Sequence, residues 1–254
     1  MKTAVHRPLF ERIADQPFAR GGIRPGDVDL TRRAIGLAQL NAGCRVLDVG
    51  CGTGVTVEHL VCESKIRAVG IDLSAALLAQ GKAREPALPL TLGHAEALPF
   101  PDGSFDGVLL ECTLSLIKGH EPVLSECNRV LKPLGAILIT DLYSRNGGAI
   151  DKLRSLPVDS CLKGAIDADR FVDQCSLAGF GTVCWEDHSE VLRDFAFGII
   201  WTYGSLDRFW GEVADNCVHP VEIRDAIQAA RPGYFLYVGA KVGDRLPAPT
   251  RSRQ

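Results

Sequence analysis

The chain has 254 residues, 46% of them hydrophobic, and a formal net charge of −3. That supplies a full apolar core and permits one or two domains. The near-neutral balance, with no long basic run, argues against a general nucleic-acid binder, and the longest apolar region, residues 195–203, is too short to span a bilayer.

No apolar stretch follows Met1-Lys2, which reads as a chain without a signal peptide and sets a cytoplasmic expectation. Nine cysteines, an odd number with no C-x-x-C pair, fit neither a disulfide framework nor a zinc ribbon. No metal is expected, and most of these thiols are expected to be reduced core residues.

Residues 1–26 lack a clear period and carry Arg20-Gly21-Gly22-Ile23-Arg24-Pro25-Gly26, a loop with backbone freedom. Asp27 or Asp29 is positioned to cap a helix in which Ala34, Ile35 and Ala38 share a face, and Gly43 to end it. Arg45-Val46-Leu47-Asp48-Val49 then has the composition of a strand buried on both faces. Gly50, Gly52 and Gly54 follow at alternate positions, and Val57, Leu60 and Val61 recur at helical spacing. Strand, glycine loop and helix form the front of a nucleotide-binding βαβ unit. A side chain on those glycines would hold a ligand away from the backbone N–H groups and the helix N-terminus. About twenty residues on, a second buried strand, Ala68-Val69-Gly70-Ile71-Asp72, ends in a carboxylate suited to gripping two ribose hydroxyls.

A helix over 74–80 is capped by Ser74 and stops before Pro86, and residues 88–92 read as a short strand. After Gly93-His94-Ala95-Glu96-Ala97-Leu98-Pro99-Phe100 and Phe105-Asp106, a fourth strand covers 107–111. Pro122 opens a helix with Val123, Leu124, Cys127, Val130 and Leu131 on its inner face. Lys132-Pro133-Leu134-Gly135 is a turn into a fifth strand, 136–141. A helix over 168–178 turns Ala168, Phe171, Val172, Cys175 and Ala178 inward before Gly179, and strands follow at 182–187 and 234–239. Between them, 190–212 is helical, with Phe195, Phe197, Trp201, Tyr203, Phe209 and Trp210 either in the core or lining an apolar pocket.

Val46-Leu47-Asp48-Val49-Gly50-Cys51-Gly52-Thr53-Gly54 resembles the first motif of class I S-adenosylmethionine (SAM)-dependent methyltransferases. It departs from the dehydrogenase fingerprint G-x-G-x-x-G, because Val55 stands three beyond Gly52. The 93–106 segment and the Lys-Pro turn are similar to the "type 11" branch. The resemblance covers about 40–240 and implies an α/β, Rossmann-like fold with a seven-stranded, mostly parallel sheet and helices on both faces. It divides the chain into an N-terminal cap at 1–42, a methyltransferase domain at 43–242 and a flexible tail at 243–254, with the N-terminal region either a surface lead-in or a flap over the cofactor.

Carried over residue by residue, the resemblance puts Asp48, Gly50, Cys51, Gly52 and Gly54 around the methionine end of SAM. It puts Asp72 and Leu73 at the ribose, and His94 and Ala95 at the adenine. His94 stands where the family usually has aspartate; either its neutral ring accepts from adenine, or it turns to solvent and Ala95 recognises the base through its backbone. Glu111 either faces the sulfonium or is a structural acceptor. The segments around Cys112 and Cys161, 49 positions apart, resemble arsenite methyltransferases. That similarity implies two catalytic thiols holding a metalloid; a core position for each is the alternative. The implied activity is methylation of a small molecule, with arsenite as one acceptor class. The alternatives are a carbon, oxygen or nitrogen centre on an apolar metabolite of quinone or sterol type, or a non-catalytic SAM-binding partner protein. No nucleic-acid or membrane partner is expected.

Overall fold

The structure, a computed structural model, describes residues 8–14, 16, 24–213 and 219–243. Val46, Leu47 and Val49 are almost wholly buried because strand β1 (Arg45–Val49) lies inside a sheet with parallel neighbours on both sides. Those neighbours are β2 (Arg67–Asp72) and β4 (Phe105–Glu111); β3 (Leu90–Leu92) is the edge beyond β2. On the far side come β5 (Leu131–Ser144), β7 (Pro232–Lys241) and β6 (Phe180–Asp187), in the order β3-β2-β1-β4-β5-β7-β6. β7 alone runs antiparallel, pairing with β5 and β6, so the expected seven-stranded, mostly parallel sheet is present.

The sheet is covered on both faces. One core gathers side chains from α2 (Asp27–Leu37), α3 (Val55–Cys62), α4 (Ala75–Arg84), α8 (Ser189–Tyr203), α9 (Leu206–Val213) and α10 (Pro220–Ala230). The other is built from α5 (Glu121–Val130) and α7 (Ala168–Leu177). Val123, Leu124, Cys127, Val130 and Leu131 are fully buried, as their spacing predicts. Ser74 caps α4 by accepting the Leu77 N–H at 3.1 Å, and Asp167 caps α7. Two short helices, α1 (Leu9–Ala14) and α6 (Ile150–Arg154), complete the described fold.

Several local expectations are corrected. Neither Asp27 nor Asp29 caps α2; left-handed Gly26 (φ 82°) precedes it, and both acids lie in its first turn. The helix ends at Leu37 rather than at Gly43, which turns the chain later. Val61 is exposed, off the buried face of Val57 and Leu60. Residues 132–135 loop out within β5, opposite Asp106, with Leu134 at φ 64°. Of the cysteines among the described residues, Cys127 and Cys175 are buried, whereas Cys62 is exposed and Cys44, Cys51, Cys112, Cys161 and Cys184 are half-buried; Cys217 lies outside the described residues. The Arg20–Ile23 part of the N-terminal loop and the 244–254 tail lie outside the described residues.

Candidate active site

The strand order reverses between β1 and β4, and ligands of open α/β sheets bind where the carboxyl ends of such strands part. A cavity of about 760 Å³ opens there. Every residue expected on the cofactor lines it except Gly54: Asp48, Gly50, Cys51 and Gly52 from the first strand and loop, Asp72 and Leu73, His94 and Ala95, and Glu111. His94 is exposed and Ala95 half-buried.

The three glycines do different work. A Cβ on Gly50 would sit 2.3 Å from Thr113 Oγ1, and one on Gly54 would sit 2.8 Å from Leu90 Cδ2. Those two therefore serve packing, with Gly54 the left-handed residue that starts α3. Gly52 (φ 54°) meets only Leu77, at 3.7 Å, so its missing side chain leaves room on the cavity wall. Asp72 ties this loop in place: Oδ2 accepts the Gly52 N–H and Oδ1 the Ser74 N–H, each at 2.7 Å. Burial raises its carboxyl above the ordinary range, against the pull of those amides.

The electrostatics favour a cation. Asp48, Asp72 and Glu111 share the cavity, and Arg24 is the base buried beside them. Burial first, then the charges of Glu111 and Asp72, holds Asp48 well above the usual carboxylate range despite Arg24. Glu111 belongs to a closed network. Arg24 lies 2.9 Å from its Oε2 and donates at 2.8 Å to both Thr31 and Thr56, whose hydroxyls donate in turn to the two Glu111 oxygens at 2.8 and 2.7 Å. Both Glu111 oxygens are thus engaged by protein, the structural-acceptor alternative. Sequence reasoning missed Arg24, Thr31 and Thr56, because no local pattern couples residues so far apart in the chain.

Residues 47–139 match the family described as "Methyltransferase domain". Over 144 residues the chain is 32% identical to the demethylmenaquinone methyltransferase of Symbiobacterium thermophilum, covering 52% of this chain and 57% of that protein. The chain spans about half the length of the curated relatives it matches. Among solved structures, the [4+2]-cyclase SpnF aligns over 92% of both chains at a TM-score of 0.71 and 26% identity. Phosphoethanolamine N-methyltransferase 2 of Haemonchus contortus, in complex with S-adenosyl-L-methionine, aligns over 95% of this chain and 61% of that one, with a TM-score of 0.69 and 18% identity, a likeness of fold.

The matched residues supply the glycine loop and the acids, whereas much of the remaining cavity wall comes from outside them. Cys112 ends β4 in a left-handed conformation (φ 52°), its N–H donating to Thr140 O at 2.7 Å. Its Sγ lies 3.2 Å from the Tyr234 hydroxyl, and Cys161 Sγ donates to the Cys112 carbonyl at 3.7 Å. The two cysteines are thus neighbours, and both line the cavity. That contact, then burial, raises the Cys112 thiol well above its ordinary value, so it is protonated at neutral pH. The aromatic segment divides: Phe195, Phe209 and Trp210 line the cavity, whereas Phe197 and Trp201 are 65% and 92% exposed. From the N-terminal region, Leu9, Phe10, Ile13, Arg24 and Pro25 also line the cavity, and Ser74 Oγ donates to Glu11 at 2.7 Å. Among the described residues no helix is long and apolar enough to cross a membrane.

Proposed function

We propose that this chain transfers a methyl group from SAM to a small acceptor held in the apolar half of the cavity. The observation that carries the reading is the cleft at the carboxyl ends of β1, β2 and β4, where Gly52 leaves open wall beside the carboxylates of Asp48 and Asp72. SAM supplies a methyl group on a sulfonium, which leaves by in-line displacement. In this reading Asp72 accepts from the ribose hydroxyls with the lone pairs its amide partners leave free. Asp48 offers negative charge to the methionine end, Leu73 borders the ribose beside Asp72, and His94 and Ala95 flank the adenine. Cys51 and Gly50 form the loop wall, and Gly54 sets the loop's exit. Residues 9–13 and 24–25 close over the site as a cap. The chain's contribution to rate is positioning and exclusion of water, which together lower the barrier by several kcal/mol, so no dedicated base is required.

The similarity to a demethylmenaquinone methyltransferase supports an acceptor centred on carbon, oxygen or nitrogen in a small apolar molecule. A second reading, a thiol-bound metalloid, rests on the contact of Cys112 with Cys161 at the cavity. Two sulfurs holding trivalent arsenic leave it a lone pair for the methyl group. The high pKa of Cys112 weighs against the metalloid, because its thiol must lose a proton to bind.

The test is calorimetry of SAM with wild type and Asp72→Ala, then conversion of SAM to S-adenosylhomocysteine with quinol, phenol and arsenite acceptors. The expected result is a loss of SAM affinity of roughly tenfold or more in the variant, the scale of hydrogen bonds to a charged group. SAM binding without turnover on any acceptor would make the chain a SAM-binding partner protein or a non-methylating enzyme. Loss of arsenite methylation in Cys112→Ser and Cys161→Ser, with SAM binding intact, would select the second reading.

A further inference from the structure

The cavity is much larger than the glycine-loop end requires, and its two ends differ in chemistry. Away from Gly52 and Asp72 its wall is hydrocarbon and aromatic: Leu142, Leu192, Phe195, Ile199, Phe209 and Trp210. Arg145, Arg193 and Arg231, all three exposed, also line the cavity. Three separate elements bring them there. Arg145 follows the last residue of β5, Ser144, which pairs with Pro232; its Nε donates to the Arg231 carbonyl at 3.1 Å. Arg231 is held left-handed (φ 51°) between α10 and β7. Arg193 lies one turn beyond Ser189, whose hydroxyl accepts the Tyr234 N–H at 3.3 Å.

Guanidinium groups on the lining of one cavity give it a positive field that draws in an anion, most where no acid is ion-paired to them. Among the described residues no carboxylate lies within ion-pair distance of any of the three guanidinium groups. Asp187 feels the Arg145 charge but accepts its hydrogen bonds from the Tyr143 and Ser189 hydroxyls rather than from a guanidinium. Glu190 and Asp194 sit exposed on α8 beside Arg193, and Asp159, across the cavity, is bound to Lys163 at 2.7 Å.

We propose that the acceptor is an amphipathic anion, a largely hydrocarbon molecule whose carboxylate or phosphate group is held by Arg193 and Arg231, with Arg145 beside them. The hydrocarbon body lies along the Phe195, Phe209 and Trp210 wall and presents its other end toward the glycine loop. Guanidinium groups suit this role because their planar forks match carboxylate and phosphate oxygens. The proposal rests on the reading of this cleft as a SAM-dependent methylation site, and it names the acceptor class for that site.

The test uses the full chain and defined probes: dodecanoate, dodecyl phosphate and neutral dodecanol, below their micelle concentrations, titrated by calorimetry and by the fluorescence of cavity-lining Trp210. Wild type is expected to bind at least one anion roughly tenfold or more tighter than the alcohol, a preference that shrinks as salt is raised. Whichever of carboxylate and phosphate binds tighter identifies the head group. In Arg193→Gln/Arg231→Asn the preference is expected to vanish while alcohol binding and SAM binding stay within about twofold. Asparagine is chosen at 231 because it tolerates the left-handed backbone. Arg193→Lys/Arg231→Lys keeps the charge and is expected to keep part of the preference, which separates a charge effect from misfolding. Equal affinity of wild type for anion and alcohol overturns the proposal, as does an undiminished preference in the glutamine–asparagine variant. Failure of wild type to bind SAM overturns the methylation reading instead, and is scored in a separate titration.

Discussion

At the scale of single residues, the glycine loop separates packing from ligand room. Gly52→Val keeps the fold at a cost of about 1–2 kcal/mol, because a branched residue is forced into the left-handed region. Its side chain fills the open cavity wall, so SAM binding is expected to disappear. Gly50→Ala does the reverse: its methyl meets Thr113 Oγ1, which already donates to Val49 O at 3.1 Å, so the chain must shift. The expected loss of stability is roughly 2–5 kcal/mol. Urea unfolding and SAM calorimetry on both variants check the contrast, and equal stability losses would contradict it.

Asp48 carries a pH signature. Its raised pKa means the free protein still holds a proton there above the ordinary carboxylate range. A cationic ligand favours the ionised form, so binding expels that proton. SAM affinity is therefore expected to rise with pH until Asp48 is ionised in the free protein, and to be flat above that. In Asp48→Asn the rise should be absent. Calorimetry in two buffers of different ionisation enthalpy reads the released proton directly; identical apparent enthalpies in wild type would remove Asp48 from this role.

At the scale of elements, the loop at 160–165 is locked against the turn at 114–116. A Cβ on Gly164 would lie 1.6 Å from the Ser115 carbonyl oxygen, so only glycine allows this approach. That approach brings Cys161 against Cys112. Gly164→Ala is expected to lift the loop and part the thiols, with both reacting roughly tenfold faster with a thiol reagent. Unchanged thiol reactivity in a folded variant would mean that the contact does not depend on this packing. β5 and β7 matter in the same way. Their pairing sets Ser144 against Pro232 and Leu142 against Tyr234, which puts the tyrosine hydroxyl beside Cys112 and Arg145 against the Arg231 carbonyl.

At the scale of the whole molecule, Asp141 couples folding to pH. It is fully buried on β5 and accepts from the Ser115 N–H and hydroxyl and the Leu142 N–H, yet burial outweighs those bonds and lifts its pKa to about 6. A carboxyl that binds its proton more tightly folded than unfolded favours the fold at low pH. Its contribution falls as pH rises from the ordinary carboxylate value to about 6, then levels off. The change is on the order of 3 kcal/mol. Asp141→Asn is expected to remove this component, so the wild-type-minus-variant difference in urea stability should rise on acidification from pH 7 to 4.5. A difference independent of pH would show that Asp141 does not titrate in that window.

What the sequence by itself determined was local and periodic. The alternation of apolar strands with amphipathic helices predicts the α/β fold, since burial on two faces and on one stripe leave different spacings. The glycine loop, the acid at Asp72, the Ser74 cap and the inner face of α5 were legible for the same reason: each is settled by residues within a few positions of one another. The insertion of β7 between β5 and β6, the partners of Glu111, and the division of labour among the glycines were decided only by tertiary structure. So were the meeting of Cys112 with Cys161, the turning of Phe195 and Phe209 inward while Trp201 faces out, and the gathering of Arg145, Arg193 and Arg231. Each of these depends on which distant surfaces touch once the sheet has closed its order, and no short-range spacing records that choice.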